Sequence, residues 1–192
     1  MKSILTVLGI MLLISLDCLG QTSTTAAPSA REYNAQGIKV SIVRPSLTFQ
    51  AKSSYNDSYQ EVTTKIVDST IGLSLGYVQL PIKEIGWTTN LTYLNLSSAN
   101  GDGGSILRAD GNVAYTFIKE LNLKAGVNLN QITSESERGY GVGLGYQGSI
   151  GFQVSKNFGM DLGYTEMNAS SQRNYQTTAK ISGIELAANF VF

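Results

Sequence analysis

The sequence contains no histidine and a single cysteine, Cys18. Histidine is the commonest general base and the commonest metal ligand in proteins, so its absence excludes imidazole catalysis and histidine-ligated metals. One cysteine cannot form a disulfide within the chain. We therefore predict no catalytic residue, no cofactor and no metal site, and we expect that the protein is not an enzyme.

The sequence also lacks an excess of either charge. Its 14 basic and 14 acidic residues balance, so nothing indicates a nucleic-acid partner. Long apolar runs are absent beyond the N-terminal segment, which excludes a helical membrane protein because a spanning helix needs about 20 consecutive apolar residues. Mean hydropathy is −0.01. A β-barrel gives such a value because its membrane surface occupies only alternate residues.

The N-terminus has the layout of a secretory signal peptide. Lys2 supplies positive charge, residues 4–16 form an apolar core, and a small residue, Gly20, marks the expected cleavage site. We predict a signal peptide over residues 1–20 and a flexible periplasmic segment over 21–37. Cys18 leaves open a lipoprotein signal, although Asp17 stands where such signals need a small residue.

Residues 38–192 alternate between apolar and polar in segments of about 10 to 15 residues separated by turns. We predict an all-β fold, an eight-stranded antiparallel up-and-down transmembrane β-barrel. Its polar face is rich in Gly, Ser, Asn and Thr, which suits a narrow lumen better than the charged surface of a soluble sandwich.

Two places break the alternation. The apolar residues change parity around residues 43–45, where Pro45 suggests a β-bulge that restores the apolar face to the outside. Leu94 and Leu96 place apolar side chains on the polar face of their strand, and the sequence alone gives no reason for them.

The connections between strands alternate in length. Tight turns at 81–84, 118–120 and 155–157 are expected at the periplasmic end, and longer loops at the exterior. These loops are predicted at residues 53–60, 97–105, 133–139 and 168–178. Their tyrosines and arginines could bind an extracellular ligand or contact lipid headgroups, and the sequence favours neither.

Two sets of side chains are candidates for functional roles. Aromatic residues on the apolar face predict a membrane girdle: Tyr77, Trp87, Tyr93, Tyr115, Phe117, Tyr146, Phe152, Phe158 and Tyr164. Charged residues on the polar face predict an ion-pair network in the lumen: Arg44, Arg108, Asp110, Lys124, Asp161 and Glu185. Such a network would either plug the barrel or line a narrow ion path.

The closing segment 184–192 alternates regularly and ends in Phe190, Val191 and Phe192. Together with the hairpin rhythm, it resembles the small eight-stranded outer-membrane barrels of the outer-membrane protein A and X type and the opacity-type porin family. The resemblance implies that Phe190 and Phe192 form an assembly signal for the barrel assembly machinery. It also implies an outer-membrane location among phospholipid and lipopolysaccharide.

The resemblance implies a role in envelope structure or surface interaction, or alternatively a small-conductance, porin-like channel. Similar barrels that act as lipid A deacylases or palmitoyl transferases rely on histidine. This chain has none, so these activities are excluded.

Overall fold

The computed structural model describes residues 33–55, 58–67, 71–96, 104–134, 141–173 and 175–192. In this part of the chain no helix is long and apolar enough to cross a membrane. The strands are β1 (Tyr33–Tyr55), β2 (Ser58–Val67), β3 (Gly72–Pro81), β4 (Ile85–Leu96), β5 (Gly104–Ile118), β6 (Leu121–Ser134), β7 (Val142–Ser155), β8 (Phe158–Arg173) and β9 (Tyr175–Val191).

The strands form one closed barrel. Each of β3 to β9 pairs with its neighbour in the chain, and β9 returns to pair with β1, always antiparallel. The other edge of β1 pairs with β3 along residues 33–43 and with β2 along residues 47–55. Because β2 and β3 share one strand position, the barrel has eight positions. The predicted eight-stranded up-and-down fold is confirmed.

The strands are staggered by ten residues around the barrel. A row of paired residues that starts at Lys39 passes through β3 to β9 and returns to β1 at Phe49, ten residues further along. The row consists of Lys39, Gly76, Asn90, Asp110, Asn128, Gly145, Met167, Ile181 and Phe49. This stagger requires strongly tilted strands, as expected when a sheet closes on itself.

Alternate residues face the outside, where large apolar side chains are exposed on every side of the barrel. Examples are Ile85, Val113 and Leu144, which are 73%, 61% and 67% exposed. A soluble protein rarely exposes so continuous an apolar surface. Hydrocarbon is the solvent that such a surface requires, and a closed barrel leaves no unpaired strand edge within it.

The interior contains apolar residues at both ends. At the end opposite the tight turns, the loop-end cluster consists of Val43, Leu47, Leu94, Ile106, Ile132, Met167, Ala169, Ala179 and Ile181, with Phe49, Leu96 and Ala187 packed against it. At the end with the tight turns, the turn-end cluster consists of Ala35, Val78, Leu80, Ala114 and Val191. Leu94 and Leu96 therefore break the sequence alternation because they belong to the apolar packing inside this end of the barrel.

The predicted bulge at residues 43–45 is wrong. The β1–β9 ladder runs without interruption from Lys39 to Ser54, and residues keep the same parity throughout. Leu47 points inward into the loop-end cluster and is 1% exposed, so no inserted residue is needed to return it to the outside. An irregularity occurs instead in the β1–β2 ladder, between Thr48 and Phe49.

Several predicted boundaries also differ. β1 begins at Tyr33, so the last five residues of the predicted flexible segment 21–37 belong to a strand. The loops predicted at 53–60 and 168–178 are largely the ends of β1, β2, β8 and β9. Residues 1–32, including the predicted signal peptide and Cys18, lie outside the described residues, as do 97–103 and 135–140.

Candidate functional site: the charged interior

A polar chamber lies between the two apolar clusters. It contains a cavity of about 70 Å³, which is room for several waters because a cavity needs about 10–15 Å³ to hold one. Three basic and three acidic side chains line it: Lys39, Arg108, Lys124, Asp110, Asp161 and Glu185. The formal charges of these six side chains cancel.

Arg108 is the centre of one ion-pair group. Its Nη1 and Nη2 donate to the two carboxylate oxygens of Glu185 at 2.7 and 2.9 Å. Its Nη1 also donates to Oγ1 of Thr165 at 3.3 Å, and its Nε lies 3.5 Å from Oδ1 of Asp110. The parallel pair of hydrogen bonds to Glu185 is the strongest geometry available to a guanidinium and a carboxylate.

Lys124 and Asp161 form a second ion pair. The Lys124 Nζ lies 2.6 and 2.7 Å from the two oxygens of the Asp161 carboxylate, and both side chains are largely buried. Gly151, which pairs with Asp161 across the β7–β8 ladder, leaves space for this carboxylate. A Cβ at Gly151 would lie 2.6 Å from Oδ1 of Asp161.

Side-chain amides extend the two groups into a network. Asn90 and Asn112 both donate to Oδ2 of Asp110, the latter at 2.9 Å. Gln147 donates to Oδ1 of Asn112 at 2.8 Å, which connects β7 to β5. Within the described residues, Oδ1 of Asn90 is buried without a protein partner and belongs to a residue that lines the cavity.

Arg44 does not belong to this network, contrary to the sequence prediction. It is exposed and lies on the same face of β1 as Ile38, Val40 and Ile42. Its predicted inward position depended on the bulge that the structure lacks. The other five predicted members, Arg108, Asp110, Lys124, Asp161 and Glu185, line the chamber together.

The nine predicted girdle aromatics all lie on the outward parity of their strands. Tyr77 stacks on Trp87 with ring centroids 5.3 Å apart, and Tyr115 meets Phe117 edge-on at 4.8 Å. Phe190 lies 5.2 Å from Phe158 at the end with the tight turns. Tyr115 and Phe117 are alternate residues of one strand, whereas the other two pairs join neighbouring strands. Both kinds of contact form between side chains on the same face of a pleated sheet.

The sequence analysis did not predict a polar group on the outer face of the barrel. Glu166 is only 7% exposed although it lies on the outer face of β8. Its Oε2 accepts a hydrogen bond from the Tyr146 hydroxyl and lies 2.8 Å from the Lys180 Nζ. The alternation pattern could have revealed this group, since Glu166 and Lys180 both occupy positions on the apolar face of their strands.

The three carboxylates that line the chamber all have side-chain partners. They are held by cations and amides, and none is paired with a second carboxylate around an open substrate site. Among the described residues no group of three or more His, Cys, Asp or Glu converges as a metal site would require.

No protein-family model matches the chain, and no curated protein matches it. Among solved structures, it is similar to Neisserial surface protein A, with a TM-score of 0.49 and 14% identity, covering 81% of this chain and 97% of that one. It is also similar to the outer membrane protein OprG from Pseudomonas aeruginosa, with a TM-score of 0.44, 12% identity and coverage of 84% and 100%.

A third similar structure is Ail, the attachment invasion locus protein of Yersinia pestis. Its TM-score is 0.38 and its identity 14%, with 79% of this chain and 99% of that chain covered. These similarities concern the fold alone.

Proposed function

We propose that the chain is an integral outer-membrane protein without enzymatic activity that serves envelope structure, surface interaction or both. The observation that carries the proposal is the apolar exterior, which continues around the barrel between aromatic side chains at both ends. The N-terminal segment 1–20 would direct export, and the exposed outer-face residues Phe190 and Phe192 would be read by the barrel assembly machinery.

Surface interaction is supported by the length of four neighbouring strands. The β1–β9 ladder continues to Ser54 and Gln176, and the β8–β9 ladder continues to Arg173 and Tyr175. The β4–β5 ladder ends earlier, at Leu96. Strands β2, β1, β9 and β8 therefore extend past the loop-end cluster and offer backbone beyond the membrane.

Fractionation of a Gram-negative host tests the location. We expect the protein in the outer-membrane fraction, resistant to carbonate extraction, and migrating faster on a gel before boiling than after it. The mature N-terminus should be Gln21, and an acylated Cys18 would instead establish the lipoprotein signal. Recovery of the protein in the soluble periplasm would contradict the proposal.

A small-conductance channel is a second candidate because the chamber is polar and charged. The two apolar clusters oppose it, since each places closely packed side chains across the lumen. Planar-bilayer recording of the refolded protein separates the two functions. A silent bilayer removes the channel, and an ion-selective current that changes in Asp161→Asn would establish it.

A further inference from the structure

Strand β2 has one edge without a partner in the part of the chain that the structure describes. It pairs with β1 along residues 47–55 of that strand, and no other described strand pairs with it. The backbone N–H and C=O groups of residues 58–67 that point away from β1 therefore have no ladder there. A strand edge of this kind is a template on which another strand can pair.

The free edge lies on the loop-end side of the membrane. Rows of paired residues climb about 1.25 residues per strand position, because ten residues of stagger are shared by eight positions. The exposed Tyr93 reaches Ile42 in two steps, so it lies about 2.5 residues above Ile42. Val67, the lowest residue of β2, pairs with Leu47, five positions above Ile42. All of β2 is thus above Tyr93, at a level where tyrosines mark the membrane interface.

The sequence of β2 is complementary to itself in one antiparallel register. The strand contains one acidic residue, Glu61, and one basic residue, Lys65. When Thr63 lies opposite Thr63 of a second copy, Glu61 of each chain lies opposite Lys65 of the other. Residues 59–67 all pair in this register, which is nearly the whole strand. Opposite charges placed directly across two strands stabilise their pairing.

The parallel arrangement is opposed by the same two charges. In-register parallel pairing would place Glu61 opposite Glu61 and Lys65 opposite Lys65, and like charges directly across two strands destabilise the pairing. Two barrels in one membrane point the same way, so their β2 strands run in the same direction. Antiparallel pairing requires one barrel to be inverted relative to the other, as a barrel in an opposing membrane is.

We infer that β2 is a homotypic docking edge that pairs antiparallel with β2 of a second copy in an opposing outer membrane. The strands β2, β1, β9 and β8 of each copy then join into one continuous sheet across a two-fold axis at Thr63. The charge register selects a second copy as the partner, since this chain supplies both members of each ion pair. The inference rests on the proposed function and names the partner of its surface interaction.

The test uses the mature protein refolded into preformed phosphatidylcholine vesicles, with vesicle clustering followed by light scattering. We expect the unaltered protein to cluster vesicles. Glu61→Lys and Lys65→Glu should each reduce clustering severalfold, because each change sets like charges opposite each other in both pairs. Lys156→Glu, in an exposed tight turn at the other end of the barrel, is the control and should cluster vesicles normally.

A charge exchange separates the register from non-specific attraction. Glu61→Lys/Lys65→Glu keeps the net charge and restores both opposite-charge pairs between two copies of the variant. Vesicles that carry this double variant should therefore cluster with one another but not with vesicles that carry the unaltered protein. Equal clustering of the double variant with the unaltered protein would overturn the register.

Thr63→Cys locates the two-fold axis. Residues directly opposite in antiparallel strands have Cα atoms about 4.5–5.5 Å apart, a distance that a disulfide can span. Mild oxidation should link differently tagged copies held in separate vesicles. Val62→Cys would lie opposite Thr64 and should link far less. Cys18 belongs to the predicted signal peptide, so the introduced cysteine is the only one in the mature chain.

Three results would overturn the docking edge. They are the absence of clustering by the folded protein, equal clustering by Glu61→Lys and the unaltered protein, and disulfide linkage that occurs only within one vesicle. Heat-modifiable migration shows that each variant has folded. The vesicle assay does not depend on cellular location, which fractionation tests separately, so failure of the docking edge is distinguishable from failure of the proposed function.

Discussion

Arg108 and Glu185 face each other across the lumen. Arg108 belongs to β5 and Glu185 to β9, and three strand positions separate them whichever way the barrel is traversed. The two side chains, joined by their two hydrogen bonds, therefore connect opposite walls of the barrel. The walls of the barrel are held together here by side chains as well as by the ladders.

Replacing Arg108 with lysine should destabilise the barrel although the charge remains. Lysine cannot donate two parallel hydrogen bonds to Glu185, so we expect a loss of about 1.5–3 kcal/mol in the free energy of unfolding. Urea titration in lipid vesicles measures it, with Lys156→Arg as the exposed control. An unchanged midpoint for Arg108→Lys would show that the paired geometry contributes nothing to stability.

Lys124→Met should be more damaging than a comparable change at an exposed lysine. It leaves the Asp161 carboxylate buried without its partner, and breaking a buried pair in this way costs roughly 3–5 kcal/mol in soluble proteins, with lumen water reducing the figure. The comparison is Lys156→Met under the same urea titration. Equal midpoints would mean that water, rather than Lys124, satisfies Asp161.

Gly151→Ala tests the same pair through the backbone. The added methyl group would contact Oδ1 of Asp161 and the side chain of Asn122, so either the ion pair or the β7–β8 ladder must shift. Gly111→Ala is the matched control, because no atom lies within 4 Å of its Cβ position. We expect a lower urea midpoint for Gly151→Ala and little change for Gly111→Ala. Equal behaviour would contradict close packing around Asp161.

The two apolar clusters should act as barriers in series. Leu94→Ser with Ile106→Ser opens only the loop-end cluster, and Val78→Ser with Leu80→Ser opens only the turn-end cluster. Each pair alone should leave a planar bilayer silent, whereas the four changes together should produce a current. Conduction through the unaltered protein, or through either pair alone, would be inconsistent with closure at both ends.

Phe192→Ala separates recognition of the side chain from closure of the barrel. The backbone of Phe192 exchanges two hydrogen bonds with Ile38, and alanine keeps both. If the exposed ring is an assembly signal, the outer-membrane level of the variant should fall severalfold and degradation should increase. Phe117→Ala, another exposed aromatic at the same end, is the control. Normal levels of Phe192→Ala would refute the signal.

The barrel could be predicted from the sequence because apolar and polar residues alternate along each strand, and this period of two residues can be read directly from the sequence. The side of Arg44 could not be predicted in the same way. The prediction assumed that apolar residues always face out, whereas Leu47 and Leu94 face into the loop-end cluster. The sequence alone also could not show that Arg108 is hydrogen-bonded to Glu185, since that contact depends on the stagger of the eight strand positions.

The ladder between β1 and β9 has a consequence for the folding rate. Each hairpin joins residues that are close in the chain, but the closing ladder joins residues as distant as Lys39 and Val191, 152 positions apart. Such non-local contacts form late because the entropy of a very large loop must be lost first. Until they form, β1 and β9 each present an open edge that can pair with another chain. The unclosed barrel is thus the species most prone to aggregate, and closure is the step at which a folding catalyst would have the greatest effect.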